Sequence, residues 1–235
     1  MHYPQVLTLN NQLNMKSFYF IIAVLLISSC APSHFVKPLA KKEKQVNLAL
    51  GGPVISNLGF PMPIPFISAT YGQGLDSATT VYGGVNLTSA VFGNFQTQLG
   101  LNRALTFCKG KSPGFSVSPS INLIVRDSKT IAFYPQLDLN AWWDFGASKQ
   151  HYIYAGINNW FELKTIRAHE QPQSTNLIFS PQLGVLFSKG TWRFNMETKM
   201  IGPNLSNKDI VVDYVSPLSR TGALGFYFGV SKSFK

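Results

Sequence analysis

The stretch TIAFYPQLDLNAWWDF, residues 130–145, alternates almost without a break. Ile131, Phe133, Pro135, Leu137, Leu139, Ala141 and Trp143 fall on one face. Ala132, Tyr134, Gln136, Asp138, Asn140, Trp142 and Asp144 fall on the other. Successive side chains of a β-strand point to opposite sides, so this reads as a strand with one oily and one polar face. The fold turns on which face is inside. A soluble barrel or sandwich hides the oily face. A transmembrane barrel shows it to lipid and keeps the polar face within.

The same division recurs along the chain. In 115–126, Phe115, Val117, Pro119, Ile121, Leu123 and Val125 oppose Ser116, Ser118, Ser120, Asn122, Ile124 and Arg126. In 191–200, Trp192, Phe194, Met196, Thr198 and Met200 oppose Thr191, Arg193, Asn195, Glu197 and Lys199. In 223–234, Leu224, Phe226, Phe228, Val230 and Phe234 form the oily row, which Lys232 interrupts. Ten strands are predicted, at 46–51, 64–72, 79–89, 94–103, 115–126, 130–143, 150–163, 175–187, 191–201 and 221–234. The segments GQGLDSA, KGKSPG, RDSK, FGASKQ, SKG and GPNLSNKD between them carry turn residues. Many connections are short, which favours antiparallel neighbours in an up-and-down meander. No 3.6-residue periodicity long enough for a helix is present. Strands 46–51 and 64–72 are short and rich in Gly and Pro; without them an eight-stranded barrel remains.

Two features of the strands turn the oily face outward. The polar face is mostly Asn, Gln, Ser, Thr, Gly and Tyr, and only 13% of the chain is charged, against about 25% in ordinary soluble domains. Solvated sheet faces usually carry many Lys and Glu. Strict up-down order also places Phe115, Trp143, Phe187, Trp192 and Phe234 near one rim and Phe95, Phe133, Phe161 and Phe179 near the other. Two aromatic belts are expected at the two water interfaces of a membrane barrel.

The N-terminal region follows a different logic. Met15-Lys16 starts a short basic region, and residues 18–27 are apolar. That run suits a signal-peptide core and falls short of the roughly 20 residues of a spanning helix. Met15 is the expected translation start. The sequence Leu26-Ile27-Ser28-Ser29-Cys30 resembles the lipobox of bacterial lipoproteins. The resemblance implies cleavage before Cys30, diacylation of its thiol and acylation of the new amino group. Residues 31–45, APSHFVKPLAKKEKQ, have no period and are expected to be a flexible tether. The barrel domain is then 46–235. Cys108 is the only other cysteine, so no internal disulfide forms; it reads as an incidental thiol in a turn.

The C-terminal ALGFYFGVSKSFK resembles the closing strand of outer-membrane β-barrel proteins, with Phe234 penultimate. With CAPSHFVKP, VNLALGG and ATYGQGLDSATTVYGGVNL, the chain resembles small Gram-negative outer-membrane β-barrel lipoproteins, a functionally uncharacterised group. The resemblance implies architecture and location: an all-β, up-and-down antiparallel transmembrane-type barrel of about ten strands, anchored in the outer membrane at Cys30. The alternative is a lipid-anchored soluble periplasmic barrel whose oily face lines a cavity for an apolar ligand. A second alternative is an outer-membrane barrel hydrolase.

At eight or ten strands, side chains about fill the interior. The inward face is expected to hold Arg126, Asp138, Glu162, Arg193, Glu197 and Lys199, pairing across the lumen because an unpaired buried charge is costly. Beyond the tether the histidines are His151 and His169. His151 falls at the periplasmic end of its strand. His169-Glu170 lies in a loop without the second His of HExxH, and Pro172 opposes a helix there. A non-enzymatic protein is expected. No His, Cys or carboxylate spacing suggests a metal site, and no cofactor is indicated. Gly51-Gly52 and Gly83-Gly84 lack the lysine motif of a phosphate loop and read as strand bends or bulges. The net charge of +10 is scattered through turns and tether, without the aromatic-interleaved stripe of a nucleic-acid binder. Membrane lipid is the expected partner. The longer outer loops 52–63, 164–174 and 202–219 are candidate recognition surfaces, with 164–174 and 202–219 suited to an extracellular or envelope protein.

Overall fold

Residues 130–145 form a single strand, Thr130–Phe145. Ile131, Phe133, Leu139 and Trp143 are exposed on it, whereas Tyr134, Asp138, Asn140 and Trp142 are buried. The oily face is therefore outside. This corrects the alternative in which that face lines a ligand cavity.

The computed structural model describes residues 34–57, 60–126, 130–147, 149–166, 172, 175–208 and 212–234. The strands are β1 (Lys44–Asn57), β2 (Phe60–Pro63), β3 (Phe66–Gly74), β4 (Thr79–Asn86), β5 (Asn94–Thr106), β6 (Gly114–Arg126), β7 (Thr130–Phe145), β8 (His151–Phe161), β9 (Leu177–Lys189), β10 (Trp192–Ser206) and β11 (Thr221–Phe234). One short helix, α1 (Leu87–Val91), follows β4. The sheet runs in sequence order from β3 to β11, and β1 pairs antiparallel with both β3 and β11. This closes a ten-stranded antiparallel barrel, with β2 outside the ring, paired only to the far end of β1. Closure leaves no free edge, so backbone groups find partners within the wall.

All ten predicted strands are present, but β1 is longer than expected. It reaches Lys44–Asn57, and β2 folds back on its last residues as a hairpin where a loop was expected. The branch point is Gly51-Gly52. Gly51 has φ of 145°, and a Cβ there would strike the Phe226 carbonyl on β11. Gly83-Gly84, by contrast, pairs in continuous register on both sides and is no bulge. The predicted strand 79–89 ends early in α1, whose first turn is capped by the Asn86 side chain accepting from Ser89 N at 3.0 Å. A helix this short cannot show a 3.6 period in the sequence.

The two ends differ in their connections. One rim carries both ends of the ring, at Lys44 and Phe234, and the turns 75–78, 107–113, 146–150 and 190–191. This is called the termini rim. The loop rim carries the β1–β2 hairpin, α1 and the longer segments 162–176 and 207–220. The expected belts are exposed: Phe115, Trp143, Phe187, Trp192 and Phe234 toward the termini rim, and Phe95, Phe133, Phe161 and Phe179 toward the loop rim. Large inward rings fit because glycine faces them across the register. Trp142 lies against Gly114 and Tyr154 against Gly184, and a Cβ on either glycine would overlap the ring.

Candidate functional site

Among the described residues, polar and charged groups are concentrated away from water in the lumen, which is filled in three layers. The middle layer comes from inward positions of β5 to β10. Glu197 and Lys199 on β10 are both buried and pair at 3.4 Å. Tyr154 donates its hydroxyl to Glu197 Oε2 at 2.7 Å. Asp138 accepts from Asn158 Nδ2 at 2.6 Å and from Gln136 Nε2 at 3.0 Å. Gln136 Oε1 in turn accepts from Asn122 at 2.9 Å, and Gln182 donates to Asn140 at 2.7 Å. Lys199 Nζ also stands 5.6 Å from the centre of the Tyr227 ring. A buried charge needs this density of partners to offset its desolvation.

Three of the six predicted lumen charges, Asp138, Glu197 and Lys199, meet in this layer. Arg193 points inward at the termini rim and pairs with Glu43 at 2.6 Å. Arg126 and Glu162 stand apart from these three, at the loop rim. Arg126 is the last, exposed residue of β6, and Glu162 lies just past β8, accepting from Lys164 N. Alternation assigns the face of a residue but not its height along the strand.

The second layer closes the termini end. Residues 34–43, expected as a free tether, turn into the lumen instead. Phe35, Val36 and Leu39 are buried. The Phe35 ring packs on Gly72, where any side chain would collide with it, and lies 5.5 Å from the Tyr82 ring. Val36 sits among Ala104, Trp142, Tyr152, Tyr154 and Leu186. Its carbonyl accepts from Ser116 Oγ at 2.6 Å and Asn102 Nδ2 at 3.4 Å. Leu39 N donates to Thr80 Oγ1 at 2.8 Å. Lys37 Nζ holds both oxygens of Asp144 at 2.9 Å. His34 is deepest, with Nδ1 3.1 Å from Thr70 Oγ1 and its ring 5.8 Å from Tyr82. Burial first, then the positive charge of Lys199, lowers the His34 pKa to about 4, against the raising effect of a Gln98 hydrogen bond. The segment is held by partners drawn from several strands: Asp144, Ser116, Asn102, Thr80 and Thr70. It is a plug rather than a tether.

The third layer closes the loop end. Ile64, Phe66, Ile201, Val212, Tyr214, Ala223 and Tyr227 form one buried apolar cluster, with Ile55 against it. The backbone ties it down: Ser56 N donates to Asp213 O at 2.8 Å and Val215 N to Val54 O at 2.9 Å. Segment 212–215 thus lies along the end of β1, so the predicted loop 202–219 is part strand and part lid. Of loop 164–174, residues 164–166 and 172 are described, joined by an Ile166–Pro172 bridge.

The remaining chemical candidates have structural settings. His151 Nδ1 accepts from Ser188 N at 3.0 Å, and its ring packs near Phe145 and Phe187. Cys108 Sγ donates to Trp142 O at 3.1 Å and accepts from Gly114 N at 3.2 Å, bracing its turn. Among the described residues no three His, Cys, Asp or Glu side chains are grouped to hold a metal ion. Cys30, the rest of residues 1–30 and His169 lie outside the described residues.

No family model and no curated protein matches this sequence. Solved structures with similar form include the translocator domain of autotransporter NalP from Neisseria meningitidis, at 7% identity and TM-score 0.44, covering 98% of this chain and all of that one. The outer membrane protein OprG from Pseudomonas aeruginosa overlaps at 12% identity and TM-score 0.34, covering 85% of this chain and 99% of that one. Ail, the attachment invasion locus protein of Yersinia pestis, overlaps at 7% identity and TM-score 0.29, covering 83% and 99%. Likeness at this level carries nothing about activity to the present chain.

Proposed function

We propose that this chain is a lipid-anchored outer-membrane β-barrel with a structural or binding role in the cell envelope, acting without catalysis. The observation that carries the reading is the inversion of the barrel: an apolar exterior belted by aromatics around a lumen of amides, hydroxyls and paired charges. Soluble monomers rarely expose contiguous apolar patches beyond a few hundred Å², whereas a bilayer accepts such a surface. The filled lumen favours support and presentation over passage of solutes. The loop rim is left to meet a partner, through the connections 164–174 and 202–219. Cys30 would add the acyl anchor, each buried CH₂ contributing about 0.8 kcal/mol.

The test separates anchor from barrel. Residues 1–30 are replaced by a non-lipoprotein secretion signal, the protein is expressed in a Gram-negative host, and outer membranes are washed with alkaline carbonate. The unlipidated barrel is expected to stay in the membrane. Release as a soluble folded protein would sink the membrane reading and leave the acyl chain as the only anchor. Labelling with a radioactive fatty acid, lost on Cys30→Ser, checks the anchor separately.

A further inference from the structure

Lysines stand in the lipid-facing rows at the termini rim, where an oily side chain is expected. Register gathers three of them, with Trp192 and Phe234, over four neighbouring strands. Lys189 on β9 pairs with Trp192 on β10, and Trp192 with Lys232 on β11. One outward step nearer the rim, Phe234 on β11 pairs with Lys44 on β1. All five side chains are exposed on the outer face. Lys232 Nζ stands 5.3 Å from the centre of the Trp192 ring and 5.6 Å from that of Phe234.

Among the described residues no carboxylate pairs with these ammonium groups. The described carboxylates at this rim, Glu43, Asp76 and Asp144, are each taken by another cation: Arg193, Arg103 and Lys37. Two of these pairs face the lumen side. Lys44, Lys189 and Lys232 form no ion pair among the described residues. Adjacent strands lie about 4.8 Å apart, so Lys232 stands one strand from Lys44 and two from Lys189, and the three long side chains can reach a headgroup centred on Lys232. A lysine in a lipid-facing row is tolerated where its ammonium reaches the interface, and the flanking rings mark that depth.

We propose that Lys44, Lys189 and Lys232, framed by Trp192 and Phe234, bind the phosphodiester headgroup of an anionic glycerophospholipid in the leaflet at the termini rim. The site rests on the lipid-facing reading of the exterior. The ammonium groups take the phosphate oxygens, and the two rings lie along the glycerol and upper acyl carbons.

The full chain is reconstituted into phosphatidylcholine vesicles doped with phosphatidylglycerol and first scored by flotation. It is then extracted in mild detergent, and retained lipid is counted by native mass spectrometry. The wild type is expected to retain phosphatidylglycerol over phosphatidylcholine. The triple variant Lys44→Gln, Lys189→Gln, Lys232→Gln should lose that preference by at least about tenfold, while the triple Arg variant should keep it. Lys109→Gln with Lys111→Gln, in a turn of the same rim, should change nothing. Equal retention by the triple Gln variant, an equal loss from the turn variant, or preference for lipid A over phosphatidylglycerol overturns the site. Failure to float at all overturns the membrane reading on which it rests. Failure of only the triple Gln variant to float is checked with Lys232→Gln alone, which should give a partial loss; none overturns the site.

Discussion

The two ends of the lumen are closed by opposite means. At the loop end the seal is a buried apolar cluster, from Ile64 to Tyr227, with backbone bonds to the β1 end. At the termini end it is a chain segment held by side chains, each bond from a different strand: Asp144, Thr80, Ser116 and Asn102. Apolar burial is non-directional and scales with area. Hydrogen bonds and ion pairs fix position and respond to charge. The loop end is therefore a core, and the termini end a fitted part whose depth is set bond by bond.

Three changes should pull the two seals apart. The largest effect is expected at the loop end. Tyr227→Ala empties a 1%-exposed ring and should cost about 3–5 kcal/mol, read as a lower midpoint of unfolding in denaturant. Protease should then reach the 207–220 segment while residues 34–43 stay protected; simultaneous exposure of both would show one cooperative core. Next comes Gly72→Leu. The new side chain would meet Phe35, and overpacking of this kind costs about 1–3 kcal/mol. The ring of strands should keep its circular dichroism spectrum while the plug becomes accessible to a thiol reagent at an introduced Lys37→Cys. Unchanged labelling would mean that Phe35 does not hold the plug.

The smallest effect is a pH dependence confined to the termini end. His34 faces Thr70, Tyr82 and the field of Lys199, and its pKa falls to about 4 from 6.5. The seated plug then binds fewer protons than the free one between these values. Its stability is complete above about pH 6.5 and falls as the pH drops toward 4. Plug labelling should rise over that window, and His34→Gln should flatten the rise. The loop-end cluster carries no histidine among its residues and should not follow.

Much of the barrel was legible because its rule is local. Period two gave the ten strands, and the belts followed from counting along them. Asp138, Glu197 and Lys199 were found the same way, since mid-strand positions of inward parity must lie in the lumen. Parity carries no information about height near a strand end, which is where Arg126 and Glu162 stand. The plug was invisible for a different reason. Residues 34–43 have no period, and their partners at 72, 80, 102, 116 and 144 are single residues scattered over five strands. Gly72 was the nearest thing to a signal, an inward glycine left open for a ring from elsewhere. A five-residue helix such as α1 was equally beyond a periodicity argument.

The β1–β11 seam bears on how the molecule is made. Every other wall pairing in the ring joins strands that are consecutive or separated only by a small hairpin. The seam joins Lys44 to Phe234, almost the whole chain apart, so its loop-closure entropy is the largest of any in the wall. Local hairpins should zip first and the seam last. Because the plug is covalently continuous with β1, it arrives at the lumen with the strand that completes the ring. Closing the cylinder and stoppering it would then be a single event, and a translocating machine that holds the barrel open at this seam would also hold it unplugged.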